Sequence, residues 1–416
     1  MTRGHVFMTT AAALLFSSAM ANADVVLDWN NTMLTTLAGQ NPFAQARYAA
    51  ITQLAVFEAV NSITGQYRPY LGAISAPPGS SPEAAAAAAA YTVLKNYFPA
   101  ATPNLDAALA NSLAAIPDGP AKLNGVAVGD AAAAAMIAAR VNDGSSPPEF
   151  YMPASSDSGQ WQLTPSCPAA GGLLLAWRNV TPFAVESSSQ FRADPPPELT
   201  SRRYTRSYNE VKQVGDVNST YRSPHQSEVA TFYSLVSAVE AWDPVATQLA
   251  VAQDTSLSEN ARTLALLNMA ISDALVTVME TKYHYTFWRP ETAIHEGAFD
   301  NNPSTDPDPT YAPFIVTPCF PSYPSAHASA SYAAREILAR IFGNRRHSVT
   351  LSTPALPGLV LQYRNLTEIT DDIDDARVYG GIHFRFDQET GGEQGTDIGR
   401  YVYKQKLGCV KRFCLD

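Results

Sequence analysis

An all-α protein is predicted, made of tandem helical bundles with a long irregular Pro-rich insertion covering a site. Three observations predict it. Residues 41–144 are rich in Ala and place their apolar residues at helical spacing, residues 145–224 change to Pro, Ser, Gly and aromatic residues, and helical spacing returns after Gln226. With 416 residues, 46% hydrophobic and 16% charged, the chain can bury one large core or two smaller ones, and general disorder is excluded.

Taken in order, residues 1–23 combine Arg3, an apolar run from Thr10 to Met20 and the small residues Ala21-Asn22-Ala23, the layout of a signal peptide with cleavage before Asp24. Its removal takes one of 28 cations and none of 38 acids, so the formal charge goes from −10 to −11. So acidic a chain is a poor partner for nucleic acid or an anionic membrane, and any anion site must be a local cluster of cations. No later segment reads as an uninterrupted apolar span, so no stable membrane insertion is expected and the mature chain is expected to be secreted or periplasmic.

Residues 24–144 form an N-terminal helical bundle that serves as scaffold, with helices over 43–63, 82–98, 104–116 and 121–141. The Ala runs at 84–90 and 131–135 suit close helix packing. Residues 145–225, with Pro195-Pro196-Pro197 and many aromatics, are expected to be ordered cover that walls a pocket. The remainder, 226–416, is the catalytic bundle, with helices over 226–242, 246–253, 258–287 and 326–342, and in pieces over 372–404. Residues 46–60 and 261–275 share an Ala-Arg start and similar apolar spacing, a hint of two related bundles. The four cysteines, Cys167, Cys319, Cys409 and Cys414, fit disulfides in an oxidising compartment. Cys409 and Cys414 are the most natural pair by proximity, but the connectivity stays open.

Three stretches carry the chemistry. In PCFPSYPSAHAS (318–329), Ser325 is placed to cap a helix whose first turn holds Ala326 and His327, giving a helix mouth with unpaired N–H groups suited to an oxyanion. In TKYHYTFWRP (281–290), Lys282 and Arg289 are seven residues apart, two helical turns, and Pro290 stops the helix so that Arg289 stands at its end. His284 and Tyr285 lie beside these cations, within reach of a pocket rim. In ARVYGGIHFRFD (376–387), His383 and Asp387 are four apart, so the carboxylate can accept one imidazole N–H and aim the other nitrogen outward. Arg377 is six before His383, and Gly380-Gly381 is where the backbone can bend to join them. Two imidazoles, a hydroxyl, a helix mouth, a Lys and two Arg converge most naturally on a tetrahedral or trigonal oxyanion.

The order Lys282, Arg289-Pro290, then Pro324-Ser325-Ala326-His327, then Arg377, His383 and Asp387 resembles the three-part signature of the vanadium-dependent haloperoxidase and type 2 phosphatidic acid phosphatase superfamily. The resemblance covers roughly 226–404. It implies vanadate, or phosphate in the same site, as the bound group. It further implies His383 as axial metal ligand or as nucleophile toward phosphorus, with Lys282, Arg289, Ser325 and Arg377 on the equatorial oxygens. Asp387 orients His383, and His327 is the acid/base at the opposite apex. Phe320 matches an aromatic that lines the halide side in fungal chloroperoxidases. Two positions depart from the family. Ala326 stands where Gly is usual and contributes a backbone N–H, so its methyl crowds the oxyanion if the backbone needs a Gly conformation. Ala376 stands where many members have Ser.

The implied function is halide oxidation by hydrogen peroxide, with Lys282 as a mobile point charge that polarises the bound peroxide. The alternative is an exported acid phosphatase acting on a phosphomonoester or lipid phosphate through a phospho-His intermediate. A third class, a phosphate-binding module without catalysis, does not require a His on each side of the anion. In each case the partners are small molecules: hydrogen peroxide and halide, or a phosphate ester.

Overall fold

The computed structural model describes residues 24–410 except Ala73; the segment 1–23 expected to be a signal peptide, and Cys414, lie outside the described residues. Thirteen α-helices, three short 3-10 helices and one two-stranded hairpin make up the regular structure among the described residues. The N-terminal half holds α1 (Val25–Leu37), α2 (Pro42–Thr64), α3 (Pro82–Tyr97), α4 (Thr102–Ala114) and α5 (Pro120–Ala139). Then come α6 (Arg202–Gly215), α7 (Pro224–Leu235), α8 (Ala238–Gln253), α9 (Leu257–Tyr285), α10 (Pro290–His295) and α11 (Ala326–Phe342). The hairpin β1 (Arg345–Ser352) and β2 (Val360–Asn365) precedes α12 (Leu366–Tyr379) and α13 (Arg385–Gln405).

Local chemistry sets most of these ends. Asn41 accepts hydrogen bonds from the backbone of Phe43 and Ala44 ahead of Pro42, and Gly65 closes α2 with φ of 65°. Ser256 and Glu259 form a capping box at α9. A second capping box, Ser237 with Glu240, corrects the expected helix over 226–242. The chain leaves α7 at Leu235, turns through extended Val236, and restarts as α8, which continues past Pro244 to Gln253.

Four further differences follow from tertiary packing. The insertion 145–225 is not wholly irregular, because α6 buries Tyr204, Tyr208 and Val211 in a satellite aromatic cluster. Helix α1 was not signalled by the sequence pattern. The hairpin is an exception to an all-helical reading; Val349 and Leu351 pair with Tyr363 and Leu361 and point into the core. Finally, α9 is by length and composition apolar enough to cross a membrane, contrary to expectation, but 94% of that window is buried inside the protein.

Helix α9 is the axis of the fold, lying against α2, α8, α11 and α13. One contiguous apolar cluster takes in residues of both halves, from Met33 and Ile51 to Ile337 and Val402, so the two bundles share a core. The similar segments 46–60 and 261–275 lie on α2 and α9, which pack against each other.

The site depends on how closely α11 and α13 approach. Along α13, Gly391, Gly395 and Gly399 face the carbonyls of Ser325, Ser329 and Ala333 in turn, so the two helices run parallel along a seam with a four-residue period. A Cβ on Gly395 would lie 2.0 Å from the Ser329 oxygen. Only glycine allows the backbones this near, and the approach places Asp387 one hydrogen bond from the start of α11: the Ser325 N–H donates to the Asp387 carbonyl at 2.9 Å.

Candidate active site

Lys282 sits in the last turn of α9 and is fully buried. Its ammonium donates to the carbonyls of Pro321 and Ser322 at 2.9 and 2.6 Å, so it is pinned rather than mobile. The helix ends at Tyr285 with Thr286 left-handed at φ 49°, which corrects the expectation that Arg289 caps the same helix. After this turn Phe287 pairs with Gln160 in an isolated antiparallel bridge, and the segment is held where the Trp161 N–H donates to the Thr286 carbonyl and the Trp288 N–H to the Gly159 carbonyl. Arg289 is then the residue before α10, fully buried; Nε donates to the Phe320 carbonyl at 2.9 Å and Nη1 to the Ile382 carbonyl at 2.9 Å.

His383 stands just before α13, in a turn made possible by Gly381 at φ 79°. A Cβ on Gly381 would lie 2.4 Å from the Gly215 carbonyl. Asp387 holds the imidazole from below, Nδ1 to Oδ2 at 2.8 Å. The same oxygen accepts from the Ser322 hydroxyl at 2.6 Å and the Phe384 N–H at 3.2 Å. With Nδ1–H committed to Asp387, Nε2 carries the lone pair, and it lies 3.0 Å from Nη1 of Arg289. Arg377, near the end of α12, donates through Nη1 to the Tyr233 carbonyl at 3.1 Å.

Ser325, Ala326 and His327 open α11 as the sequence indicated. The buried Ser325 hydroxyl accepts from the Ala328 N–H at 3.3 Å, as an N-cap does. Ala326 is an ordinary first helical residue without positive φ, so the expected strain of a methyl at this position does not arise. His327 and Arg377 both line a cavity of about 420 Å³. The other walls are mainly apolar, among them Phe43, Leu275, Ile315, Pro318, Phe320 and Ala330. The Phe320 ring lies 5.3 Å from the Lys282 ammonium and 5.0 Å from the Arg289 guanidinium, and so stands between the cavity and two of the cations.

Two expectations about the walls need correcting. From the insertion 145–225 only Leu174 lines this cavity; Phe43, assigned to scaffold, and the 315–320 loop supply more. The insertion acts from behind through the Cys167–Cys319 disulfide and the bond from the Leu173 N–H to the Cys319 carbonyl. Cys409 is also disulfide-bonded. His284 and Tyr285 do not reach the rim: His284 is exposed against the Tyr285 ring, whose hydroxyl donates to the Ala193 carbonyl at 2.9 Å.

The electrostatics are those of a site that wants an anion. Burial, followed by the charge of Arg289, pulls the Lys282 ammonium well below its usual range. Burial also brings Arg289 down to about 9 and Arg377 down to about 10. Both imidazoles are held neutral, well below their ordinary range. Burial is the main cause for each, with Arg289 the leading charge at His383 and Arg377 at His327. Asp387 is pushed up to about 6 by burial, against the Ser322 hydroxyl and the nearby Lys282 and Arg289 charges.

Against three cations, Asp387 acts on Lys282 and Arg289 through space; its direct bonds go to His383, Ser322 and the Phe384 N–H. Nη2 of Arg289 and Nε of Arg377 are buried without a hydrogen-bond partner. Unpaired buried guanidinium N–H groups are costly, and an oxyanion between them satisfies both. The donor set therefore fits vanadate or phosphate. Ser322 was not singled out from the sequence; it precedes the Pro-Ser-Ala-His run, and only the fold brings it to Asp387.

A family model described as the second helical-bundle domain of VCPO matches residues 262–412, a segment that contains every one of the residues above from Lys282 to Asp387. Vanadium chloroperoxidase of Curvularia inaequalis is 27% identical over 195 residues, covering 39% of this chain and 31% of that relative's length. In fold, the chain is similar to the first bacterial vanadium-dependent iodoperoxidase, at a TM-score of 0.77, 23% identity, and coverage of 93% of this chain and 96% of that one. It is similar also to a bacterial vanadium-dependent chloroperoxidase in its holo form, at a TM-score of 0.71, 17% identity, and coverage of 88% and 91%.

Proposed function

We propose that this chain, which belongs to the vanadium-dependent haloperoxidase and type 2 phosphatidic acid phosphatase superfamily, is a vanadate-dependent haloperoxidase that oxidises halide with hydrogen peroxide. One observation carries the reading. The unpaired Nη2 of Arg289 and Nε of Arg377 belong to two cations whose charges act on an imidazole that Asp387 fixes with an unprotonated Nε2, beside a mainly apolar cavity.

Arg289, Arg377 and Lys282 would hold the oxygens of vanadate, Ser325 and the first backbone N–H groups of α11 would add donors, and His383 would supply Nε2 as the ligand. Bound vanadate supplies electrophilic activation of hydrogen peroxide without changing its own oxidation state. Lys282, fixed by two carbonyls, presents positive charge where negative charge builds on oxygen, a stabilisation that needs no reorganisation. His327, neutral and on the cavity wall, would accept a proton from hydrogen peroxide at a ring nitrogen. Phe320 keeps bulk water from the cations. The Cys167–Cys319 disulfide supports action outside the cytoplasm.

A second reading, acid phosphatase, is favoured by the same fixed lone pair on His383, which suits attack on phosphorus. Bromination assayed with and without added vanadate, beside phosphate-ester hydrolysis on the same protein, separates the two. Bromination that needs vanadate and is suppressed by phosphate supports the first; hydrolysis inhibited by vanadate, without bromination, replaces it with the second.

A further inference from the structure

The reaction proposed above consumes hydrogen peroxide and a halide ion, both small and strongly hydrated. The cavity beside the anion site is neither small nor polar. It has a volume of about 420 Å³, within the range of pockets that enclose a whole organic molecule, and its walls are mainly aliphatic and aromatic. Its polar wall groups are few: Arg377 and His327 at the inner end, and Ser234, exposed, from the end of α7. Val316, 77% exposed, is a further apolar wall residue open to solvent.

The walls also come from too many places to be a packing accident. Phe43 arrives from α2, Leu174 from the insertion, Leu275 from α9, Ala238 from α8 and Ala330 from α11. The loop carrying Ile315, Pro318 and Phe320 is tied back by the disulfide at Cys319, by the Thr317 hydroxyl on Glu291, and by the Ile315 N–H to the Gly380 carbonyl at 3.0 Å. A preformed apolar hollow of this kind is wasted on a halide ion, whose desolvation there is unfavourable.

We propose that the cavity binds the organic acceptor itself, an apolar aromatic or alkenyl molecule, so that halogen transfer takes place on a held substrate rather than after release of hypohalous acid. The inference rests on the haloperoxidase reading for its chemistry. Hydrogen peroxide, halide and one proton give hypohalous acid and water. The electron-rich carbon of the bound acceptor then attacks the halogen, a C–X bond forms, the X–O bond breaks, and the proton lost from carbon leaves with the hydroxide as a second water. The cavity wall decides which carbon meets the halogen.

The test uses 2-naphthol as probe, with the full mature chain. Its binding is followed by fluorescence in the absence of peroxide and halide. Vanadate affinity is measured in parallel by calorimetry. The variants are Ser234→Trp, which places a large side chain at an exposed wall position without disturbing the core, and Val316→Asp, which puts a charge on the wall. Each is expected to weaken naphthol binding at least tenfold and to leave vanadate affinity within twofold. With peroxide and bromide, the wild type should brominate 2-naphthol with an isomer ratio different from that of free hypobromous acid, and the variants should return to the free ratio. Absence of saturable naphthol binding in the wild type, binding unchanged in both variants, or an isomer ratio equal to that of free hypobromous acid overturns the proposal. If naphthol binds and the variants abolish this, but no bromination occurs with vanadate, the haloperoxidase reading fails while the apolar binding site stands.

Discussion

Nδ1 of His383 and Oδ2 of Asp387 lie 2.8 Å apart, with the carboxylate at the start of α13 and the imidazole in the turn before it. This pair fixes the tautomer with an unprotonated Nε2, which accepts from Nη1 of Arg289 at 3.0 Å. Asp387→Asn exchanges the acceptor for an amide that can turn either face to the ring. The expected result is a loss of about 10–100-fold in vanadate affinity, the usual cost of removing the group that orients a metal-ligating His. Calorimetric titration of vanadate into wild type and variant checks it.

The Ser322 hydroxyl donates to the same carboxylate at 2.6 Å and is the first of the influences that oppose burial, the balance of which leaves the carboxyl at about 6. Protonation of Asp387 weakens it as an acceptor from His383, so anion affinity falls as pH drops through that value. In Ser322→Ala the carboxyl pKa rises further, and the acid limb of the vanadate affinity profile moves to higher pH by about one unit. A limb that does not move, with overall stability unchanged, excludes Ser322 as a positioning residue.

Asp243 is fully buried, accepts from the Asn268 amide at 2.9 Å through Oδ1, and leaves Oδ2 without a partner. Burial raises its pKa to about 7. A raised carboxyl pKa contributes stability that is fully present below the unfolded value near 4 and is lost as pH rises through the folded value near 7. Asp243→Asn keeps the shape and removes the titration. Urea unfolding at pH 8 should show the variant more stable by about 2–4 kcal/mol, with the difference largely gone at pH 4.5.

Gly395→Ala sets a methyl 2.0 Å from the Ser329 carbonyl, backbone against backbone, with no flexible side chain to give way. Overpacking of this kind typically costs about 1–3 kcal/mol. Because the seam also places Asp387 beside Ser325, thermal denaturation should show a lower midpoint, and vanadate affinity should fall with it. An exposed control, Gly79→Ala, meets nothing within 4 Å but is strained at φ 77°, so it should lower the midpoint while leaving vanadate affinity unchanged.

The sequence by itself determined what local chemistry controls. Helix α11 was legible to its ends, because Ser325 and the apolar spacing after it specify a cap and a face. The boundaries of α2, α3 and α9 followed from Pro, Gly and Ser signals within a few residues. The His383–Asp387 contact was legible from a four-residue spacing.

What the tertiary structure alone decided are contacts between residues far apart in the chain, for which no local pattern exists. Ser322 meets Asp387 across 65 residues, and Arg377 is held by Tyr233 across 144. The Cys167–Cys319 bridge spans 152 residues. Phe43 read as scaffold because its role depends on α2 lying against α9, which brings the first turn of one bundle to the mouth of the other. Glycine is a poor helix former, and the purpose of Gly391, Gly395 and Gly399 appears only when the backbone of α11 is placed against them. Residue types and spacing specified the groups that meet an anion, and the packing of helices from both halves specified the apolar hollow in which they meet it.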